Sequence, residues 1–130
     1  MSQMTSANPA TWPAEVDVTL SSLEAASAAH DNRRKLSRMK FRAVATLQLF
    51  SDESNSEPWT LYTRDVNSRG IGFICNRRVP LGHGGVVEVP GPNGEMITAN
   101  CTVFRCREIS NGWFEGAIYF NREQWVFATR

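Results

Sequence analysis

The sequence predicts a mainly β fold, a six-stranded antiparallel barrel or sandwich with helix only at its two ends. Six strand-like segments recur roughly every eight to twelve residues, the rhythm of small all-β domains. The connections concentrate Gly, Pro and Asn, as in Val79-Pro80-Leu81-Gly82-His83-Gly84-Gly85, Pro90-Gly91-Pro92-Asn93-Gly94 and Asn111-Gly112, residues that supply the backbone angles of tight turns. At 130 residues the chain is long enough for one domain with its own core plus an extension, and too short for two.

The elements follow in order. Residues 1 to about 18 carry Pro9, Pro13 and small polar side chains without periodicity, so disorder is the expectation there, with Trp12 the one residue suited to docking. Ser21 followed by Glu24 reads as a capping box opening an alanine-rich helix to about His30, with Leu20, Leu23 and Ala26 or Ser27 on one face. Such a short helix is expected to lie on the β domain or to mediate self-association. Asp31-Asn32 stops it. This divides the chain into an N-terminal extension, 1–32, and a β domain, 33–130.

Within the domain, Phe41 to Phe50 alternates, with Ala43, Ala45, Leu47 and Leu49 on one side and Arg42, Thr46 and Gln48 on the other, which predicts a half-buried strand. Ser51 to Pro58 is a polar, acidic connection. Trp59 to Val66 is a second strand, in which Trp59, Leu61 and Thr63 alternate with Thr60, Tyr62 and Arg64. After a turn at Asn67–Gly70 the apolar run Ile71-Gly72-Phe73-Ile74-Cys75 suits a buried strand, and Val86–Val89, Met96–Arg107 and Trp113–Phe120 complete the set. A terminal helix from about Arg122 to Phe127 is expected to plug one end of the β domain with Trp125 and Val126.

Composition restricts the function classes. Hydrophobic residues at 42% and charged residues at 21% are ordinary for a globular protein. A net charge of +1 disfavours nucleic-acid binding by bulk charge. No apolar stretch is long enough to cross a bilayer and the first thirty residues lack the pattern of a secretory signal, which leads to the expectation of a cytoplasmic protein without membrane insertion. Cys75, Cys101 and Cys106 are odd in number and lie in strand segments, so they are expected to be reduced, buried thiols. With only His30 and His83 and no CxxC pair, no metal site is expected. Neither paired carboxylates nor a nucleophile–base set recurs where a barrel would unite them, so no enzyme is expected.

Charge is nonetheless local: six of the ten residues from Arg33 to Arg42 are Lys or Arg. Arg33-Arg34-Lys35-Leu36-Ser37-Arg38 contains an RxxxR pair, Arg34 and Arg38, and about thirty residues on, Asp65-Val66-Asn67-Ser68-Arg69-Gly70 fits the frame of a [D/N]xSxxG motif except that Asn67 stands at the serine position. With the following "GIGF" and the closing "WFEGAIYF", the stretch from about Arg33 to Phe120 resembles a PilZ domain, the bacterial receptor module for cyclic di-GMP.

The resemblance implies a six-stranded antiparallel barrel with the RxxxR segment wrapping its outer face, and cyclic di-GMP as ligand, with no other cofactor. It implies that Arg34 and Arg38 take the guanines and phosphates; the O6 and N7 acceptors of guanine match a planar guanidinium fork, which an ammonium cannot reproduce. Asp65 would accept from guanine N1 and N2, or hold an arginine. Asn67 would offer a larger polar group in place of the serine, and Gly70 a side-chain-free approach for main-chain amides or an unusual backbone angle. Arg33, just before the motif, would favour a stacked pair of ligands. Ligand binding would change how the extension packs or which effector protein is met. Two other readings compete: a degenerate PilZ-like protein-interaction domain that binds no nucleotide, and a small basic barrel on single-stranded nucleic acid. Arg105 and Arg107, alternating on one strand, are expected at the solvent surface, and Trp113, Phe114 and Phe120 in the core.

Overall fold

The computed structural model of the protein describes residues 13–28, 39–52, 56–110 and 112–128. One helix, α1 (Ala14–Ala28), precedes seven strands: β1 (Met39–Lys40), β2 (Val44–Leu49), β3 (Trp59–Asn67), β4 (Gly70–Cys75), β5 (Gly84–Pro90), β6 (Met96–Ser110) and β7 (Trp113–Phe120). The neighbours run β3-β2-β5-β6-β7-β4, and β4 returns to pair with β3, every pairing antiparallel. The six long strands therefore close into a barrel, which removes the free edges an open sheet would expose.

The expected strands stand where the alternation put them, with one addition. β1, expected as part of a linker, pairs with the far half of β3 through Met39↔Val66 and Lys40↔Asp65, whereas β2 pairs with its near half. The two are one strand interrupted at residues 41–43, and the Thr63 hydroxyl bridges the break: it accepts from the Ala43 amide at 2.7 Å and donates to the Phe41 carbonyl at 2.7 Å. Thr63 is fully buried, so these bonds offset the cost of placing a hydroxyl in an apolar core.

Ala43, Ala45, Leu47 and Leu49 all point inward, joined by Leu61, Val66, Ile71, Phe73, Val87 and Val103. The three cysteines are unpaired and buried, as expected. Burial pushes the Cys75 and Cys101 thiols up to about 12, because the low-dielectric interior disfavours the thiolate.

Two end elements depart from expectation. α1 begins seven residues before Ser21, at Ala14, so residues 14–18 are helical where disorder was expected and the Ser21–Glu24 pair is internal. The cause lies in packing. Val16 and Leu20, one turn apart, are fully buried with Ile74 and Trp113, and Leu23, Val44, Tyr62 and Ile109 pack around them. Pro13 accepts the Val16 amide at 3.0 Å, and Glu15 and Asp17 suit the positive end of the helix. Arg42 adds an ion pair to Asp17 at 3.2 Å. The expected end at His30 and stop at Asp31-Asn32 lie outside the described residues. At the other terminus the helix is a single 3-10 turn, Trp125–Phe127. Trp125 and Val126 are exposed, and Phe127 is the plug, 0% exposed against Phe41 and Phe120 with ring centroids 5.6 and 6.0 Å away. One three-residue turn has a single inward position, and here Phe127 takes it.

Candidate functional site

The outer face of β3, β4, β7 and β6 carries the features the sequence singled out. Register aligns Asp65, Gly72, Ala117 and Arg105 in one row across these strands. The two middle members are the smallest side chains available and both are buried, so the row is a low, covered floor with a carboxylate at one end and a guanidinium at the other. Three strand spacings separate the ends, about 14 Å. On one side, toward α1, the next row is Tyr62, Ile74, Glu115 and Arg107; on the other it is Asn67, Gly70, Tyr119 and Thr102.

The bend at the end of β3 is built by Asn67. Its Oδ1 accepts from the amides of Arg69 at 2.8 Å and Gly70 at 3.1 Å, a local turn in which the side chain mimics a backbone carbonyl. That carbonyl oxygen is therefore committed to the turn. Gly70 does not have the unusual backbone angle expected, since its φ is not positive, and a Cβ there would collide with the carbonyl oxygen of Ile118 on β7. The missing side chain serves strand approach.

Under the floor's α1 side lies a carboxylate that sequence reading did not single out. Glu115 is 1% exposed, and three guanidiniums converge on it: Arg64 Nη1 to Oε2 at 3.4 Å, Arg105 Nη2 to Oε2 at 2.5 Å and Arg107 Nε to Oε1 at 3.1 Å. Arg64 also faces Asp65, Nε to Oδ2 at 3.7 Å. A β3 irregularity between Thr63 and Asp65, and a β6 irregularity between Val103 and Arg105, turn consecutive residues outward, so Arg64 and Asp65, and Phe104 and Arg105, all face this surface. Phe104 stacks on Tyr119 with centroids 3.9 Å apart and planes at 10°. Arg105 and Arg107 are at the solvent surface as expected, 39% and 68% exposed, and each is also anchored on Glu115. Its register places Glu115 beside Ile74 and Arg107 on the outer face, and the three arginines pack over it.

Arg33, Arg34 and Arg38 lie outside the described residues. Asp65, Asn67 and Gly70 are brought together at the bend, and Met39, the residue after Arg38, pairs with Val66 between them. Trp113 and Phe120 are buried and Phe114 is partly buried against the core. Among the described residues no helix is long and apolar enough to cross a membrane. The face thus offers a carboxylate at Asp65, donors at Arg105 and the Phe104–Tyr119 aromatic pair beside it, a set able to hold a ligand with anionic groups and planar rings.

A family model described as PilZ domain matches residues 32–122, more than two thirds of the chain. No curated protein and no solved structure matches it.

Proposed function

Because the chain belongs to the PilZ domain family, we propose that it is a receptor for cyclic di-GMP, a non-catalytic module that couples binding of the dinucleotide to a change in packing or in an effector-protein contact. The observation that carries this reading is the β1–β3 pairing. Lys40 opposite Asp65 and Met39 opposite Val66 tether the C-terminal end of the arginine strap beside the bend that bears Asp65 and Asn67. Arg38 precedes Met39 by one peptide, a Cα step of about 3.8 Å, and Arg34 by four more residues, a reach of at most about 14 Å. Both guanidiniums can thereby meet a ligand lying on the Gly72–Ala117 floor, with Asp65 as the acceptor that distinguishes guanine.

Calorimetry of the full chain with cyclic di-GMP, for wild type and for the Arg34→Ala, Arg38→Ala double variant, tests this. Saturable heat in the wild type that is lost in the variant is expected; equal heats would remove the assigned site. The second reading, an interaction domain that binds no nucleotide, is favoured by one feature, the commitment of the Asn67 oxygen to two main-chain amides. Wild-type protein that is silent in the titration while Asn67→Ser binds would establish it. A cytoplasmic location follows from the receptor reading, since the ligand is an intracellular messenger.

A further inference from the structure

We propose that Arg105 is a further ligand-contacting residue of this site, taking a phosphate of the bound dinucleotide across the Gly72–Ala117 floor from Asp65; the inference rests on the receptor reading. Four observations meet here. The register places Arg105 at the end of the floor row, and the β6 irregularity turns it to the outer face. Its guanidinium spends one Nη on Glu115, while Nε is buried without a partner among the described residues and the other Nη makes no hydrogen bond to them. A guanidinium carries five N–H donors, so donors remain on a side chain that is still 39% exposed.

The charge count points the same way. Among the described residues Glu115 carries one negative charge against three guanidiniums, of which Arg64 also faces Asp65. Finally, Glu115 holds the Arg105 side chain before any ligand arrives, which lowers the ordering cost of a new contact. Arg107 spends a comparable bond on Glu115 but sits one row nearer α1, off the floor.

Titration of the full chain with cyclic di-GMP tests this with Arg105→Ala, Arg105→Gln, Arg105→Lys and Arg107→Ala, each checked for cooperative unfolding. Losing a charge-assisted contact is expected to weaken Kd about tenfold or more in the Ala and Gln variants. Lysine supplies the point charge a phosphate needs, so Arg105→Lys is expected to stay within a few-fold of wild type, and Arg107→Ala within about twofold. Wild-type affinity in both Arg105→Ala and Arg105→Gln would overturn the assignment, as would equal losses in Arg105→Ala and Arg107→Ala, which would place the effect in the Glu115 network. A lysine variant as weak as the alanine one would overturn the phosphate contact. If Arg34→Ala, Arg38→Ala abolishes binding while the Arg105 variants keep it, the receptor reading stands and this inference falls; a wild type that never binds removes both.

Discussion

Gln124 donates its main-chain amide to the carbonyl of Ser68 at 2.7 Å, so the C-terminal turn is fastened to the bend between β3 and β4. Phe120 donates to the Arg69 carbonyl at 2.8 Å, and the Ser68 hydroxyl reaches Glu123 at 3.2 Å. The same turn inserts Phe127 against Phe41, two residues beyond Met39. One short segment therefore braces both sides of the candidate site.

Phe127→Ala removes a fully buried aromatic ring from the barrel end. Such truncations cost about 3–5 kcal/mol, so the urea midpoint is expected to fall sharply. Glu123→Gln, which alters only a half-exposed contact to Ser68 and Arg69, is expected to shift stability by less than about 0.5 kcal/mol. Denaturation curves of the two variants separate the wedge from the surface tie.

Gly70→Ala and Gly94→Ala are expected to differ in kind. At Gly94 φ is +87° and a Cβ meets nothing within 4 Å, so only backbone strain of about 1–2 kcal/mol is added. At Gly70 the Cβ would strike the Ile118 carbonyl and force β4 from β7, a larger loss that closing loops cannot absorb. Thermal melts should rank Gly70→Ala below Gly94→Ala. Any loss of ligand affinity in Gly70→Ala is then expected to accompany altered β4–β7 amide shifts.

The barrel was legible because its strands are half-buried and alternate: Ala43, Ala45, Leu47 and Leu49 announce the inner face of β2 from the sequence alone. The bend was legible through Asp65, Asn67 and Gly70, though not the job of each, since the clash at Gly70 comes from a strand nearly fifty residues away. Glu115 was illegible for the same reason. Its burial depends on Arg64, Arg105 and Arg107 arriving from two other strands, and no local pattern encodes that. The start of α1 was missed because Val16 gains its anchor from Ile74 and Trp113, while the capping signal at Ser21 is only a local preference that packing overrides.

At Asn67 the turn and the ligand make separable demands. Asn67→Ala leaves the Arg69 and Gly70 amides without their acceptor, at an expected cost of about 1–3 kcal/mol. Asn67→Ser keeps a hydroxyl able to accept locally, as Ser does in similar turns, and is expected to retain most of the stability. On the receptor reading Asn67→Ser binds cyclic di-GMP at least as tightly as wild type. Chemical denaturation and calorimetry on the same preparations read the two demands independently.

Alkaline pH should unfold the protein through its thiols. The Cys75 and Cys101 thiols ionise near 9 when exposed and are pushed up to about 12 by burial. Between those values the unfolded chain has released protons that the folded chain retains, so stability falls as pH rises and is unaffected by these groups below about 9. Urea midpoints are expected to decline from pH 9 upward. Cys75→Ala, Cys101→Ala should flatten that decline, and the share of thiolate absorbance at pH 10 that this double substitution removes should appear only in urea.

α1 is expected to detach without loss of the barrel. Its hold on the outer face is the Val16–Leu20–Leu23 stripe over Ile74, Trp113 and Tyr62, supplemented by the Asp17–Arg42 ion pair, of which Asp17 is 55% exposed and contributes little. Leu20 is fully buried, and Leu20→Ala removes about 2–5 kcal/mol of packing, more than an isolated fifteen-residue helix can replace from its own propensity. The barrel ring does not include α1, so its strand pairings do not depend on it. Hydrogen exchange of Leu20→Ala should show fast amides across 14–28 with β4 and β7 still protected. Asp17→Asn should leave both regions near wild type, and global loss of protection in Leu20→Ala would instead mean that the helix and barrel fold as one unit.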